Sequence, residues 1–325
     1  MYSNGAATFR ADLAGVVLQT SEWEGGLIAP RVLPVINVPA KDGTYPVFQL
    51  KGGQLLKRAQ NIRRANGGAS SRSTVSWDSD TYSTSEYSHE IPIDYNTIKD
   101  MGRFFAVESV TAMLCKRKPL LEWEIRAAAA TFNTTNYGTA TNSATAYTIG
   151  NIATFDIGLD IDSAKTRLRA NGETDNNLSV IMSNDVFIRA RASTKMQNRL
   201  RGIGVSSDTI LGVDEQAFAE ALGVKEVIVG KNYYDTAGEN VTASTSAIWN
   251  NTYVWVGKLG TGGSPESMLM GGAQFTLNWS EFGPPMGVYS YEEPQTNSRV
   301  IKAAHHVTEK VINSNQGTLI ASQFS

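Results

Sequence analysis

The chain has a single cysteine, Cys115, among 325 residues. One thiol excludes an intramolecular disulfide and any zinc site built from the cysteines of one chain. Its surroundings read it as a small buried hydrophobe on a helix. Histidine is also scarce, at His89, His305 and His306, and nucleophilic triads and zinc sites usually draw on it. His305-His306-Val307-Thr308-Glu309 is not the helical H-E-x-x-H pattern. On a strand its two rings point to opposite faces and cannot share a metal, so a structural or surface role is expected. No apolar run approaches the 18 residues of a membrane span. Met1-Tyr2-Ser3-Asn4-Gly5 lacks the basic start of a signal peptide. The sequons at Asn133 and Asn240 therefore read as chance matches in a cytosolic chain. There is no basic excess either: 29 Lys plus Arg against 31 Asp plus Glu give a net charge of −2. A protein that grips nucleic acid tightly shows a strong basic stripe or excess. Repeats and low-complexity tracts are absent.

What is present is length and patterning. The chain suits two compact lobes, or one lobe with large appendages, and its apolar content of 41% is near the globular average. Residues 1–30 read as an N-terminal arm, with a short helix expected over Ala11–Glu24. Gly25-Gly26 and a strand-like stretch with Pro30, Pro34 and Pro39 follow. An extended arm of this kind is expected to pack on a neighbouring molecule.

Residues 43–93 read as a two-stranded excursion. Tyr45–Leu50 is strand-like, with Pro46 marking an edge or a strand start, and Ser73–Ser83 is rich in strand-favouring Thr, Val, Trp and Tyr. Gly52, Gly53, Gly67 and Gly68 punctuate the tip. Charge is segregated: residues 51–72 hold Lys51, Lys57, Arg58, Arg63, Arg64 and Arg72 and no acid. Residues 73–94 hold Asp78, Asp80, Glu86, Glu90 and Asp94 and no Lys or Arg. An isolated hairpin is marginal in water. Such an arm calls for a partner surface, with its charges setting the register. Lys57, Arg58, Arg63, Arg64, Arg72, Asp78, Asp80 and Glu86 are the expected inter-subunit contacts.

Asn96 to about Phe132 predicts one long helix of about 55 Å. Ile98, Met101, Phe105, Val107, Val110, Leu114, Leu121 and Ile125 form its apolar stripe. Pro119 removes a backbone bond and clashes with the carbonyl of Cys115, so a kink or break is expected near Lys116–Lys118. A Thr/Asn/Ser-rich connector covers 133–152. An alternating helix and strand region follows: a helix over Phe155–Arg169, a strand over Leu178–Met182, and a helix capped by Ser183 or Asn184. Next come a helix over Asp214–Leu222 stopped by Gly223, and strands at Val224–Val229, Tyr253–Val256 and Gln274–Trp279. Arg299–Ile312 and Thr318–Ser322 are expected to pair as the last two strands.

The remaining chemistry-bearing patterns have plainer explanations. Asp156 and Asp160 share a helical face, as an acid/base pair or cation site would require. The solvated face opposite Ile157 and Ile161 is the expected reading. Gly260-Thr261-Gly262-Gly263 lacks the Lys-Ser/Thr of a phosphate loop and reads as a turn. Trp249, Tyr253 and Trp255 near Lys258 fit strand packing better than base stacking. Catalytic residues, metal ligands and cofactors are not expected.

Several stretches together resemble the major capsid proteins of tailed double-stranded DNA bacteriophages, with the Hong Kong 97 type fold. Arg63-Arg64-Ala65-Asn66-Gly67-Gly68 is similar to that family's basic, glycine-turned loop. Tyr82 to Tyr87-Ser88-His89-Glu90-Ile91-Pro92-Ile93-Asp94 resembles the return strand feeding its spine helix. Leu178-Ser179-Val180-Ile181-Met182-Ser183-Asn184-Asp185-Val186-Phe187 resembles its strand and capped helix. Phe218–Gly230 resembles its helix, Gly-Val and strand ending in glycine. The resemblance runs from Tyr45 onward and rests on the order of the motifs.

It implies an α+β fold with an N-terminal arm (1–42), an extended β-hairpin loop (43–94), and a spine helix with the start of the peripheral domain (95–150). An axial domain (151–284) and the C-terminal peripheral strands (285–325) complete it. It implies a coat protein that self-assembles through pentamers and hexamers into an icosahedral virion shell around DNA, built in the host cytoplasm. Expected partners are further copies of the chain, a portal, cement proteins and weakly contacted DNA. The short segment before Tyr45 points to a separate scaffolding protein. Two alternatives stand beside this reading: an encapsulin-like compartment of the same fold that encloses cargo enzymes, and an α+β enzyme using Asp156 and Asp160.

Overall fold

Two sheets, one of six strands and one of four, organise the chain. The computed structural model describes residues 8–9, 26–48, 62–64, 66–68, 70, 72, 77–102, 106–137, 156–205, 212–238, 241–263 and 266–321. The side chains of Thr8, Phe9, Phe48, Trp77, Asp78 and Met270 fall outside that description. So do the helix expected over Ala11–Glu24, Gly52 and Gly53, Phe105, Asn240 and most of the 133–152 connector.

In chain order the elements begin with β1 (Thr8–Phe9), α1 (Ala29–Val32), β2 (Val35–Val38), β3 (Asp42–Phe48), β4 (Trp77–Ser83) and β5 (Ser85–Asp94). Two helices follow, α2 (Tyr95–Met101) and α3 (Val107–Thr131). The next stretch holds α4 (Ile157–Ala170), β6 (Leu178–Ser183), α5 (Asn184–Ala192), α6 (Thr194–Gly202), α7 (Glu215–Leu222) and β7 (Glu226–Gly230). The remainder is β8 (Tyr233–Asp235), β9 (Thr245–Ala247), β10 (Tyr253–Lys258), α8 (Ser267–Met270), β11 (Gln274–Trp279), β12 (Gly287–Glu293), β13 (Ser298–Val311) and β14 (Gly317–Ala321).

The long strand β13 is the axis of the six-stranded sheet. It is flanked by β5 along one edge and by β12 and then β11 along the other, all antiparallel. β1 pairs with β12, and β2 runs parallel to β11. The other sheet is ordered β14-β10-β6-β7. Its parallel β6–β7 pair is bridged by α5, α6 and α7, the helical crossover that parallel strands need. All six residues of β6 are buried, so its sequence is a nearly unbroken apolar run rather than an alternation.

Helix ends follow their local signals. Ser183 accepts from the Val186 N–H and Asp214 from the Ala217 N–H, each satisfying a donor that the first helical turn leaves unpaired. Gly223 ends α7 at φ 61°, in the left-handed region open to glycine at no steric cost.

Several expectations are corrected. The segment 28–38 does not await a neighbour: Ile28, Ala29, Val32, Leu33 and Ile36 are buried in the chain's own core. Within it, Pro30 sits in the first turn of α1, where its missing N–H costs nothing. Residues 85–93 are not part of an excursion, because β5 pairs with β13 over its whole length. The change of sheet occurs at buried Thr84, whose N–H and hydroxyl both donate to the Lys41 carbonyl, at 3.1 and 2.9 Å.

The spine is two helices, and the interruption lies between Met101 and Val107, with Gly102 closing α2. The break expected near Lys118 is absent, since α3 runs through Pro119 without interruption. Pro119 is buried, and α3 is held by core contacts on both sides of it, which offset one missing backbone bond. The buried face also differs from the expected stripe. Ala112, Cys115, Leu120, Trp123, Ala127 and Ala128 face inward, whereas Leu114 is 54% exposed. Small residues let the helix approach the sheet closely, so bulk was a misleading guide to its inner face. The last two strands do not pair with each other. β13 stays in the six-stranded sheet, while β14 crosses to pair with β10. β11, placed by sequence in the axial segment, likewise belongs to the six-stranded sheet.

Candidate assembly surface

The arm is the paired ribbon β3–β4, running from Asp42 opposite Ser83 to Phe48 opposite Trp77. Its root is tied to the six-stranded sheet by polar contacts. Tyr45 donates its hydroxyl to the cross-strand Asp80 carboxylate at 2.9 Å, and Lys310 of β13 reaches Asp80 at 3.0 Å. Burial pushes the Asp80 carboxyl up. The hydrogen bonds from Lys310, the Thr81 N–H and Tyr45 outweigh it, so its pKa lies below the usual carboxylate range. Burial and the neighbouring Asp80 raise the Tyr45 hydroxyl well above its ordinary value. An apolar pocket of about 320 Å³, lined by Val38, Tyr45, Pro46, Tyr82 and Met268 among others, lies beneath this root.

The expected contact residues divide into three groups. Lys57 and Arg58 lie outside the described residues, as does the side chain of Asp78. Arg63, Arg64 and Arg72 are exposed, with Arg64 donating to the Gly68 carbonyl within the loop. Asp80 and Glu86 have partners inside the chain: Lys310 for Asp80, and Lys302 for Glu86 at 2.9 Å. Charge segregation along the sequence suggested that these acids would set the register of docking on a neighbour. The fold instead satisfies these two acids with lysines of β13, because β5 and the arm's root lie along that strand.

A groove of about 540 Å³ runs between β5 and α3, lined by Glu86, Tyr87, His89, Lys118, Pro119 and Glu122 among others. This is where Pro119 meets the sheet. Deeper, the Cys115 sulfur lies 3.0 Å from the His89 carbonyl and 3.3 Å from that of Ile301, and burial pushes its thiol up to about 11. A protonated, buried thiol is inert, matching its reading as a core residue.

Sequence reasoning missed Glu124. It is fully buried on α3 and accepts from the backbone N–H groups of Ile28 and Ala29, at 3.0 and 2.7 Å, and from the Trp249 indole at 2.6 Å. Burial raises its pKa against the pull of those three donors. The available signal was position: Glu124 shares a helical face with Leu120, Ala127 and Thr131, all buried.

The other candidates resolve into structure. His305 and His306 are buried on opposite faces of β13, as the strand reading required. Trp249 and Trp255 are wholly buried. Asp156 is the cap of α4, accepting from the Leu159 N–H. Asp160 is not on a solvated face; it is 7% exposed, and burial pushes its carboxyl up to about 6. The correction follows from packing, because α4 is enclosed by β14 and β10 as well as by α6 and α7, and Arg167, on the same side as Asp160, donates to Thr318 of β14. Arg199 of α6 crosses α4 at Gly158, where a Cβ would stand 2.5 Å from its Nε, to reach Asp162 at 2.9 Å. Among the described residues no group of three or more His, Cys, Asp or Glu side chains could hold a metal, and no helix is long and apolar enough to cross a membrane.

No family model matches the sequence, and no curated protein matches it in a sequence search. Solved structures do share its architecture. A phage-related protein from Bordetella bronchiseptica RB50 matches with a TM-score of 0.68 at 18% identity, over 98% of each chain. The capsid structure of cyanophage P-SCSP1u matches at 0.54 and 10% identity, over 90% of this chain and 87% of the other. The mature capsid of bacteriophage PhiM1 matches at 0.53 and 12% identity, over 90% and 85%. At such identities the likeness is one of architecture, and it spans nearly the whole chain rather than one lobe. The α+β fold described above is the fold of phage capsid subunits.

Proposed function

We propose that the chain is a major capsid protein, a structural rather than catalytic molecule. Copies assemble through pentamers and hexamers into an icosahedral virion shell around double-stranded DNA. The observation that carries this reading is the match to capsid subunits over nine-tenths of the chain. The arm supports it. A two-stranded ribbon is marginal alone, and the basic tip residues Arg63 and Arg64 are exposed. Each such contact is weak, and closure of a shell multiplies them. A net charge of −2 suits a lining that encloses DNA without immobilising it. A separate scaffolding protein, a portal and cement proteins are the further partners of this reading, and the host cytoplasm is its place of assembly.

Size-exclusion chromatography with light scattering tests it, on the chain expressed alone and with its scaffolding partner. Particles of shell size carrying nuclease-protected DNA when made in infected cells are expected. Particles filled with a protein cargo instead would favour an enzyme compartment.

A further inference from the structure

All three histidines of the chain sit on one strand pair. His89 is on β5 opposite Ala303, while His305 and His306 are on β13 opposite Tyr87 and Glu86. This pair joins the arm's root to the spine helix, and each ring has a cation close by. His305 is the most constrained. Its Nδ1 lies 3.2 Å from the Pro285 carbonyl, which only accepts, so Nδ1 carries the proton. Its Nε2 then serves as acceptor for Arg126 Nη2 at 3.4 Å. Arg126 is itself stacked 3.6 Å over the Tyr87 ring and held by both oxygens of Glu309. A second proton on His305 would set an N–H against the guanidinium in a wholly buried site. His306 packs edge-on against Trp279, with ring centroids 5.1 Å apart, and tilted against Phe282 at 5.3 Å; its Nδ1 is buried with no hydrogen-bond partner among the described residues. His89 lines the groove with Lys118.

We infer that the β5–β13 pair is an acid-sensitive clasp. Proton uptake by His305 and His306, with His89, detaches the spine helix and the arm's root from the six-stranded sheet while the four-stranded sheet stays folded. The inference concerns the subunit's own fold and does not depend on the shell reading.

Burial lowers the affinity of all three rings for a proton. Arg126 and His306 add to this at His305, Lys41 at His306 and Lys118 at His89. His305 is brought down from 6.5 to about 4. Such groups are neutral in the fold but protonate in the unfolded chain near 6.5, so stability is full above that pH and is lost as pH falls toward about 4. Acids face the rings as well: Glu86 and Asp42 at His306, Glu90 at His89, and Glu309 beyond Arg126. Glu309 is held by Arg126, and Glu86 and Glu90 by Lys302.

The four-stranded sheet and its helices contain no histidine. Their buried Asp160 acts with the opposite sign. Its carboxyl is raised to about 6, so the fold holds that proton more tightly than the unfolded chain does and acid favours the fold at this group, while Asp175, lowered by Arg169, acts the other way. What distinguishes the four-stranded sheet is that it lacks the buried histidines of the β5–β13 pair.

Hydrogen exchange by mass spectrometry on the full chain, corrected for the intrinsic pH dependence of exchange, tests this. Between about pH 7 and pH 4.5, peptides covering 85–94, 107–131 and 298–311 are expected to lose protection by about tenfold or more, the size of a one-unit pKa shift. Peptides covering 178–183 and 226–230 keep theirs. His306→Gln and His305→Gln flatten the drop. If His305→Gln fails to fold, His306→Gln with His89→Gln must still narrow it. Equal loss in both lobes, or an unchanged drop in the folded variants, overturns the inference.

Discussion

Glu124 accepts hydrogen bonds from partners 95, 96 and 125 positions away in the chain. It thereby fixes the spine helix to the first turn of α1 and to Trp249. A buried carboxylate is costly unless its oxygens are bonded, and here three donors bond them. Removing it leaves those donors unpaired in the core. Glu124→Ala is therefore expected to lower the unfolding free energy by about 4 kcal/mol and Glu124→Gln by about 2 kcal/mol, since glutamine keeps one acceptor. Denaturant titration of the soluble subunit reads both. A loss below about 1 kcal/mol for the alanine variant would remove the residue from this role. At this scale the sequence showed what is local. The caps Ser183 and Asp214 and the stop at Gly223 were all legible, because each acts within a few residues of itself. Glu124 was not, because its partners are distant in sequence, and the inward place of Asp160 depended on helices packed from elsewhere.

Among the elements, α3 separates what periodicity can give from what it cannot. Its existence and its end near Phe132 followed from helix-favouring composition. Its inner face did not, because Ala112, Cys115 and Ala127 are small and Glu124 is charged, while Leu114 points outward. Strand pairing was partly hidden for a related reason: β13 and β14 were both recognisable, but nothing in their composition says that they join different sheets. Pro119 belongs to this scale. Proline inside a helix costs about 3 kcal/mol, and here the ring recovers part of that by packing into the groove beside β5. Pro119→Ala should stabilise the subunit by about 1 kcal/mol, less than the full propensity difference. It should leave α3 continuous and alter the size or uniformity of assembled particles. Thermal unfolding with microscopy of the particles checks both parts, and a destabilised subunit would show that the proline is required where it stands.

For the whole molecule, the central proposal is that one subunit is an incomplete object, its two sheets joined by a core shared through α3 and its arm carrying a basic tip that needs a second copy. The order of motifs along the chain made the architecture legible in advance. The places of the acids were not, since Asp80 at the arm's root and Glu86 on β5 are held by Lys310 and Lys302 of the same chain. What remains for a neighbour is the basic tip with Arg63 and Arg64. Electron microscopy of purified particles tests this most directly, for the natural chain beside Arg63→Glu/Arg64→Glu. Closed icosahedral shells are predicted for the natural chain, with each arm lying on an adjacent subunit. The variant should yield folded subunits of normal helical content but few shells. A natural chain that stays monomeric under every assembly condition, co-expression with the proposed scaffolding protein included, would contradict the account.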